Sequence, residues 1–297
     1  MAKTKASVTN IHIGPDNIDE VISKIVRGND DPKFLIIDLF CGFGGTTTGV
    51  ELAEILGKKV AKVIACVNHD PKAIKSHWLN HPHVVHFEED IRTLNLSPLQ
   101  KLVAHYRKLY PNAIIVLWAS LECTNFSKAK GGQSRDADSR TLADHLDRYI
   151  HAINPDYVQI ENVVEFKDWG PMIPKVQKYI DPDVPAWSEI EIETYDCCPL
   201  IVDKKNGGVG PWMVPDPERK GEYWLAWCKR LCGYGYQDNW RELNSANFGA
   251  YTSRNRLFGI FAKEGLPIVW PDATHAKQKK QSLDLFSTAL QPWKPVK

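Results

Sequence analysis

The chain has 297 residues, 43% hydrophobic and 25% charged, a mix that excludes disordered and fibrous classes. Lysine and arginine number 37 against 36 aspartates and glutamates, so any nucleic-acid surface must be a local patch rather than bulk charge. The longest apolar run, Ala113–Ala119, falls far short of the roughly 18–20 residues of a membrane span, and MAKTKASVTN has no apolar signal core. Seven irregularly spaced cysteines do not read as a disulfide framework, so a reduced, cytoplasmic protein with no membrane partner is expected.

Residues 1–33 read as a polar arm with one short amphipathic helix near Ile18–Ile25. From Phe34 apolar strands and helices alternate. Strands are expected at Phe34–Leu39, Val60–Val67, Val84–Phe87, Ala113–Trp118 and Tyr157–Ile160. Between them, helices are expected at Thr46–Leu56, Pro71–Leu79, Pro98–Leu109 and Arg140–Ile153. That alternation predicts an α/β fold, a mostly parallel central sheet with helices on both faces. Past residue 165 the composition changes, and eight of the ten tryptophans lie there. Residues 181–221 read as an irregular insertion before a Trp-rich helix at Glu222–Cys232, with later strands near Arg241–Leu243 and Leu257–Phe261. A domain at 34–263 and a tail at 264–297 complete the reading.

Parallel sheets bind ligands at the carboxyl ends of their strands. The first strand runs into DLFCGFGGTTTG and then a helix, an arrangement that offers a ligand bare backbone N–H groups. A dinucleotide fingerprint would need a third glycine where Thr47 stands, so a nucleoside ligand without a pyrophosphate fits better. Asn68 and Asp70, closing the second strand, are candidates for ribose hydroxyls, and Asp90 ranks above Asn68 as a candidate for the ligand's amine.

After the fourth strand comes ASLECTNFSKAK, which places Cys123 at the sheet edge in a polar loop with Lys128 and Lys130, as a thiolate nucleophile requires. The fifth strand ends in Glu161, a proton donor or hydrogen-bond partner if it lies beside that thiol. Arg254 and Arg256 stand two apart, on one face if extended, where they would clamp an anionic or carbonyl group. Cys197, Cys198, Cys228 and Cys232 lack the usual zinc-knuckle spacing and read as core or incidental residues. His69, His77, His81, His83 and His86 read as surface and loop residues, and no metal is expected.

In order, DLFCGFGG, ECTNFS, ENV and SRNR resemble the cytosine-5 DNA methyltransferases of bacteria and phages. The resemblance covers about residues 34–297 and implies the Rossmann-like fold of S-adenosylmethionine-dependent methyltransferases. It places the cofactor against Phe40, Gly42, Gly44 and Gly45, with Asp90 and Ile91 matching an adenine-contacting motif and Leu142 a cofactor-lining leucine. Cys123 matches the nucleophile, Glu161 the glutamate of the Glu-Asn-Val motif, and Arg254 and Arg256 the paired arginines. The implied reaction transfers a methyl group to carbon 5 of a flipped-out cytosine in double-stranded DNA, as in restriction-modification. Alternatives are an RNA cytosine-5 methyltransferase or a silent cofactor- or DNA-binding regulatory subunit.

The departures from the family pattern are specific. Glu122 replaces the proline before the nucleophile, Thr252 the glutamine before the arginines, and Asn68 the ribose-binding glutamate. The segment after Phe261 resembles only the lead-in to a target-recognition region. A split or truncated enzyme, completed by a second polypeptide, is therefore expected.

Overall fold

A computed structural model describes residues 17–121, 142–174, 177–180, 194–197, 200–202, 209–211, 213–277 and 290–294. The central sheet has seven strands: β1 (Phe34–Leu39), β2 (Ala61–Asn68), β3 (Val85–Glu88), β4 (Ile114–Ser120), β5 (Tyr157–Asn162), β6 (Tyr236–Asn244) and β7 (Asn255–Lys263). Their order across the sheet is β6-β7-β5-β4-β1-β2-β3. The first five chain strands run parallel, and β7 pairs antiparallel with both β5 and β6. From β1 the chain builds outward to β2 and β3, then crosses to β4 and β5 on the other side. The switch between β1 and β4 opens a crevice at their carboxyl ends, where such sheets hold ligands.

Burial explains the parallel core. Leu35, Ile37 and Leu39 are wholly buried, and so is Asp38 between them, so both faces of β1 are covered. The helices are α1 (Ile18–Lys24), α2 (Gly45–Leu52), α3 (Pro71–Asn80), α4 (Ser97–Leu109), α5 (Leu146–Ile153) and α6 (Glu222–Cys232). In α4, Leu99, Leu102, Val103 and Tyr106 recur at helical spacing and form its buried stripe. Asp70 caps α3 by accepting a bond from the Lys72 amide at 2.8 Å, and Pro71 sits at the first helical position, where its missing N–H costs nothing.

Two expectations about boundaries change. The helix expected at Thr46–Leu56 stops at Leu52, and Glu54–Ile55 pairs antiparallel with Lys58–Lys59. Leu56 and Gly57 both have positive φ, 51° and 72°, the requirement of a two-residue hairpin whose twist matches its strands. Leucine is rare in that conformation, which hid the turn. The helix expected from Arg140 is described from Leu142, as a 3-10 turn at Leu142–His145 followed by α5. Residues 140 and 141 lie outside the described residues.

The chain divides into two compact units, the second including Val163–Lys229 and the first holding the seven-stranded sheet. In the second unit Phe166 stacks on Trp169 at 5.8 Å and meets Trp227 edge-on, so aromatic packing supplies its core. The stretch read as irregular takes part in short antiparallel ladders: Thr194–Cys197 with Gln177–Ile180, which precedes it, and Leu200–Val202 with Val209–Pro211. A further ladder joins Met172–Pro174 to Met213–Pro215. Among the described residues no helix is long and apolar enough to cross a membrane.

Candidate active site

Register alone gathers most of the predicted residues at one edge. Leu39 pairs with Val67 on one side and Ala119 on the other, while Val67 pairs with Phe87 and Ala119 with Ile160. One step beyond this row come Phe40, Asn68, Glu88, Ser120 and Glu161, so the glycine loop, the Asn68 and Asp90 turns and Glu161 all share the carboxyl edge. Cys123 and Glu122 lie outside the described residues. Ser120, three residues before Cys123 in sequence, is the register partner of Glu161.

The glycine loop is built from positive φ values. Phe40, Gly42 and Gly44 have φ of 59°, 52° and 94°, and the Gly44 amide donates to the Cys41 carbonyl at 3.0 Å. A Cβ on Gly44 would lie 2.9 Å from His81 Cδ2 and 3.1 Å from His77 Cδ2, so this glycine answers to packing as well as to its turn. Gly45 differs: a Cβ there meets nothing within 4 Å, and its φ is not in the left-handed region. Folding places no demand for glycine at 45, while open space above a helix N-terminus suits a ligand lying against the backbone. The first turn of α2 also has no side-chain cap at Gly44. Gly44→Ala is therefore expected to lower stability by about 1–3 kcal/mol, whereas Gly45→Ala should leave it within about 1 kcal/mol. Urea denaturation of both variants distinguishes the two glycines.

The acidic candidates differ in their commitments. Asn68 Oδ1 accepts the Asp70 amide at 2.9 Å, and Asp70 spends an oxygen capping α3. Asp90 accepts from the Arg92 amide at 2.8 Å and pairs with its guanidinium at 2.7 Å. Those bonds from Arg92 hold its carboxyl below the usual range, with burial opposing. Ile91 is buried, and its carbonyl accepts from Tyr149 at 3.0 Å, which ties this turn to α5. Leu142 is also buried.

At the other end of the row, Arg256 Nε lies 3.1 Å from Glu161 Oε1, with both side chains about one-fifth exposed. Phe258 is the register partner of Glu161, so Arg256, two residues back on β7, reaches the same edge. Burial raises the Glu161 carboxyl above its ordinary value, while the charges of Arg256 and Arg254 pull it down. Arg254 is exposed and precedes β7, with its amide donating to Ser245 Oγ at 3.1 Å.

The histidine reading needs correction. His77, His81 and His86 are buried, at 0%, 4% and 1% exposure, not surface residues. His77 Nε2 lies 2.9 Å from Thr47 Oγ1, whose hydroxyl donates to Asp38 Oδ2 at 3.2 Å, and His77 Nδ1 lies 2.9 Å from His86 Nε2. His81 bridges Thr48 at 3.0 Å and Glu51 at 2.9 Å. Their partners come from α2, about thirty positions away, which linear spacing does not reveal. Burial pushes His77 down to about 3 and His86 to about 4, so both rings are neutral, and burial raises Asp38 to about 7. His83 stays exposed, paired to Glu51 at 2.6 Å, and His69 is exposed.

Residues 34–170 match the family model described as C-5 cytosine-specific DNA methylase. That segment, just under half of the chain, is similar to the cytosine-5 DNA methyltransferases. The match spans β1 through β5, including the glycine loop, the Asp90 turn and Glu161. No curated protein matches the chain significantly. Among solved structures, a DNA modification methyltransferase encoded within an E. coli prophage is 20% identical, with 84% of this chain and 58% of that one covered at a TM-score of 0.48. The Entamoeba histolytica methyltransferase EhMeth is 15% identical, with coverage of 84% and 58% and a TM-score of 0.49. The S. pombe Dnmt2 methyltransferase is 16% identical, with coverage of 80% and 50% and a TM-score of 0.45. The chain thus spans 50–58% of the length of these three structures.

Proposed function

We propose that this chain methylates carbon 5 of cytosine in double-stranded DNA, with S-adenosylmethionine as methyl donor. The observation that carries the reading is the Glu161–Arg256 pair at the carboxyl edge, in register with the strand that leads into Cys123. The family match over residues 34–170 supports it. The donor fits the opposite side of the crevice, where Gly45 leaves room at the α2 N-terminus and the Asn68 and Asp90 turns flank the loop. Phe40, Gly42, Gly44, Gly45, Asn68, Asp70, Asp90, Ile91 and Leu142 form the proposed cofactor set.

Carbon 5 of cytosine is too weak a nucleophile to attack a sulfonium methyl unaided. The Cys123 thiolate adds to carbon 6, and the ring pair of electrons moves toward N3, where the Glu161 carboxyl donates a hydrogen bond or its proton. The resulting enamine attacks the donor's sulfonium methyl through carbon 5, breaking the sulfur–methyl bond and leaving S-adenosylhomocysteine. Loss of the carbon 5 proton and departure of Cys123 restore the aromatic ring. Arg256 holds the Glu161 carboxyl in place, and Arg254 adds positive charge beside it. Carbon 6 is inaccessible in a stacked duplex, so the base must leave the helix first.

The test is duplex DNA carrying 5-fluorocytosine, incubated with the chain and S-adenosylmethionine. Fluorine cannot leave as a proton, so the adduct through Cys123 should persist in denaturing gels. A cofactor-dependent DNA adduct mapped to Cys123 is the expected result. An adduct formed only with RNA would transfer the proposal to that substrate, and none with either nucleic acid would reject it.

A further inference from the structure

The buried histidines belong to a larger constellation that methyl transfer does not use. Asp38, Cys66 and His86 are register partners across three adjacent parallel strands, so their side chains share one face. Cys41, just past β1, and His77, from α3, close over the same place. One ligand atom each from Cys41, Cys66 and His77 lie within 4.8 Å of one another, and all three residues are buried. Cys66 Sγ is 3.7 Å from His77 Nδ1, and that nitrogen is 2.9 Å from His86 Nε2. We propose that Cys41, Cys66, His77 and His86 form a structural zinc site with two sulfur and two nitrogen ligands.

The spacings suit a single ion. Tetrahedral zinc, with bonds of about 2.3 Å to sulfur and 2.0–2.1 Å to nitrogen, sets neighbouring donors roughly 3.3–3.8 Å apart. The Cys66–His77 separation already falls there, the two imidazole nitrogens need to part by a few tenths of an ångström, and Cys41 has to close from within 4.8 Å of Cys66 and His77. The donor set is right in kind as well as distance, since two thiolates and two neutral imidazoles make a neutral cluster with Zn²⁺ that a buried site tolerates. Both thiols give up a proton on binding.

The surrounding shell is the stronger argument. A metal-bound histidine normally orients its ring through the second nitrogen, which donates to a carboxylate or an oxygen held by one. Here His77 Nε2 meets Thr47 Oγ1, and Thr47 in turn donates to Asp38 Oδ2. That fixes the tautomer that presents Nδ1 toward Cys66 and His86. Asp38 Oδ1 is buried without a hydrogen-bond partner among the described residues, an arrangement that a nearby cation would relieve. An ion here would pin the first residue of the glycine loop to β2, β3 and α3, fixing the loop without touching its ligand face. This departs from the expectation of no metal, which rested on the spacing of the four later cysteines and on reading the histidines as surface residues.

The test uses the whole chain, purified without chelators. Mass spectrometry should find one zinc per chain, and X-ray absorption at the zinc edge should report two sulfur and two nitrogen neighbours. Replacement by Co²⁺ should give thiolate charge-transfer and tetrahedral visible bands. Cys66→Ser should weaken binding by more than about 100-fold and Thr47→Val by about 10–100-fold. The double variants Cys197→Ser with Cys198→Ser and Cys228→Ser with Cys232→Ser should keep the metal. The X-ray measurement needs no variant, so misfolding of Cys66→Ser leaves the answer intact. Absence of stoichiometric metal, an all-oxygen or four-sulfur shell, or loss of the ion in either double variant overturns the site.

Discussion

Cys123→Ser is expected to reduce methyl transfer to background while leaving S-adenosylmethionine affinity nearly unchanged. The two effects separate because they arise on different strands. The proposed donor contacts lie in the loop after β1 and the turns after β2 and β3, whereas Cys123 follows β4 in sequence. Serine keeps the size of the residue but not its chemistry, because a hydroxyl is far less ionised than a thiol near neutral pH. Adduct formation with 5-fluorocytosine should vanish in step with turnover, and calorimetric titration of the donor reads the binding side. Joint loss of binding and turnover would assign Cys123 a structural role instead. Glu122 gives the same thiol a second handle. A carboxylate beside it favours the protonated form, so Glu122→Gln should move alkylation of Cys123 to lower pH. An unchanged alkylation profile would mean that the carboxylate points away or is already paired.

The gathering of candidate residues at the carboxyl edge was legible in the sequence because parallel strands end where their apolar runs end, and polar residues follow each run. Glu161 closes one such run, and Arg256 reaches it because antiparallel β7 enters the sheet from the same edge. Asp90 also falls where the pattern puts it, although the pattern could not foresee its pairing with Arg92. Asp70 shows the limit of reading residue types by position. An acid before Pro71 is also an ideal helix cap, and in the fold it caps α3.

The polar interior was not legible at all. A histidine at 77 and another at 81 look solvated when α3 is read alone, since the hydroxyls and carboxylate that satisfy them sit on α2. Cys66 and His86 look like separate strand residues until register makes them neighbours. Linear spacing detects ligands held on one hairpin or helix. It is blind to sets assembled from three strands and a helix, such as the cluster of Cys41, Cys66, His77 and His86.

Glu161→Gln is expected to slow methyl transfer by about 10²–10⁴-fold, the usual worth of a positioned proton donor. Glutamine can still donate a hydrogen bond to ring N3 but cannot deliver a proton, so a loss near the upper end would mark full proton transfer. The pH dependence sharpens this. Burial raises the Glu161 carboxyl, and Arg256 and then Arg254 oppose that rise. Removing Arg256 takes away the larger opposing charge, so Arg256→Ala should raise the Glu161 value further. The protonated form then persists to higher pH, and the alkaline limb of kcat/KM should move upward in that variant. Stability carries the same sign. Because the folded carboxyl holds its proton more tightly than the unfolded one, Glu161's contribution is complete below the unfolded value near 4.5 and is lost as pH rises through the folded value. In Arg256→Ala that loss should extend to higher pH, visible as a steeper fall in melting temperature above about pH 5. A rate that falls with no displacement of the pH profile would assign Arg256 to substrate binding instead of to the Glu161 carboxyl.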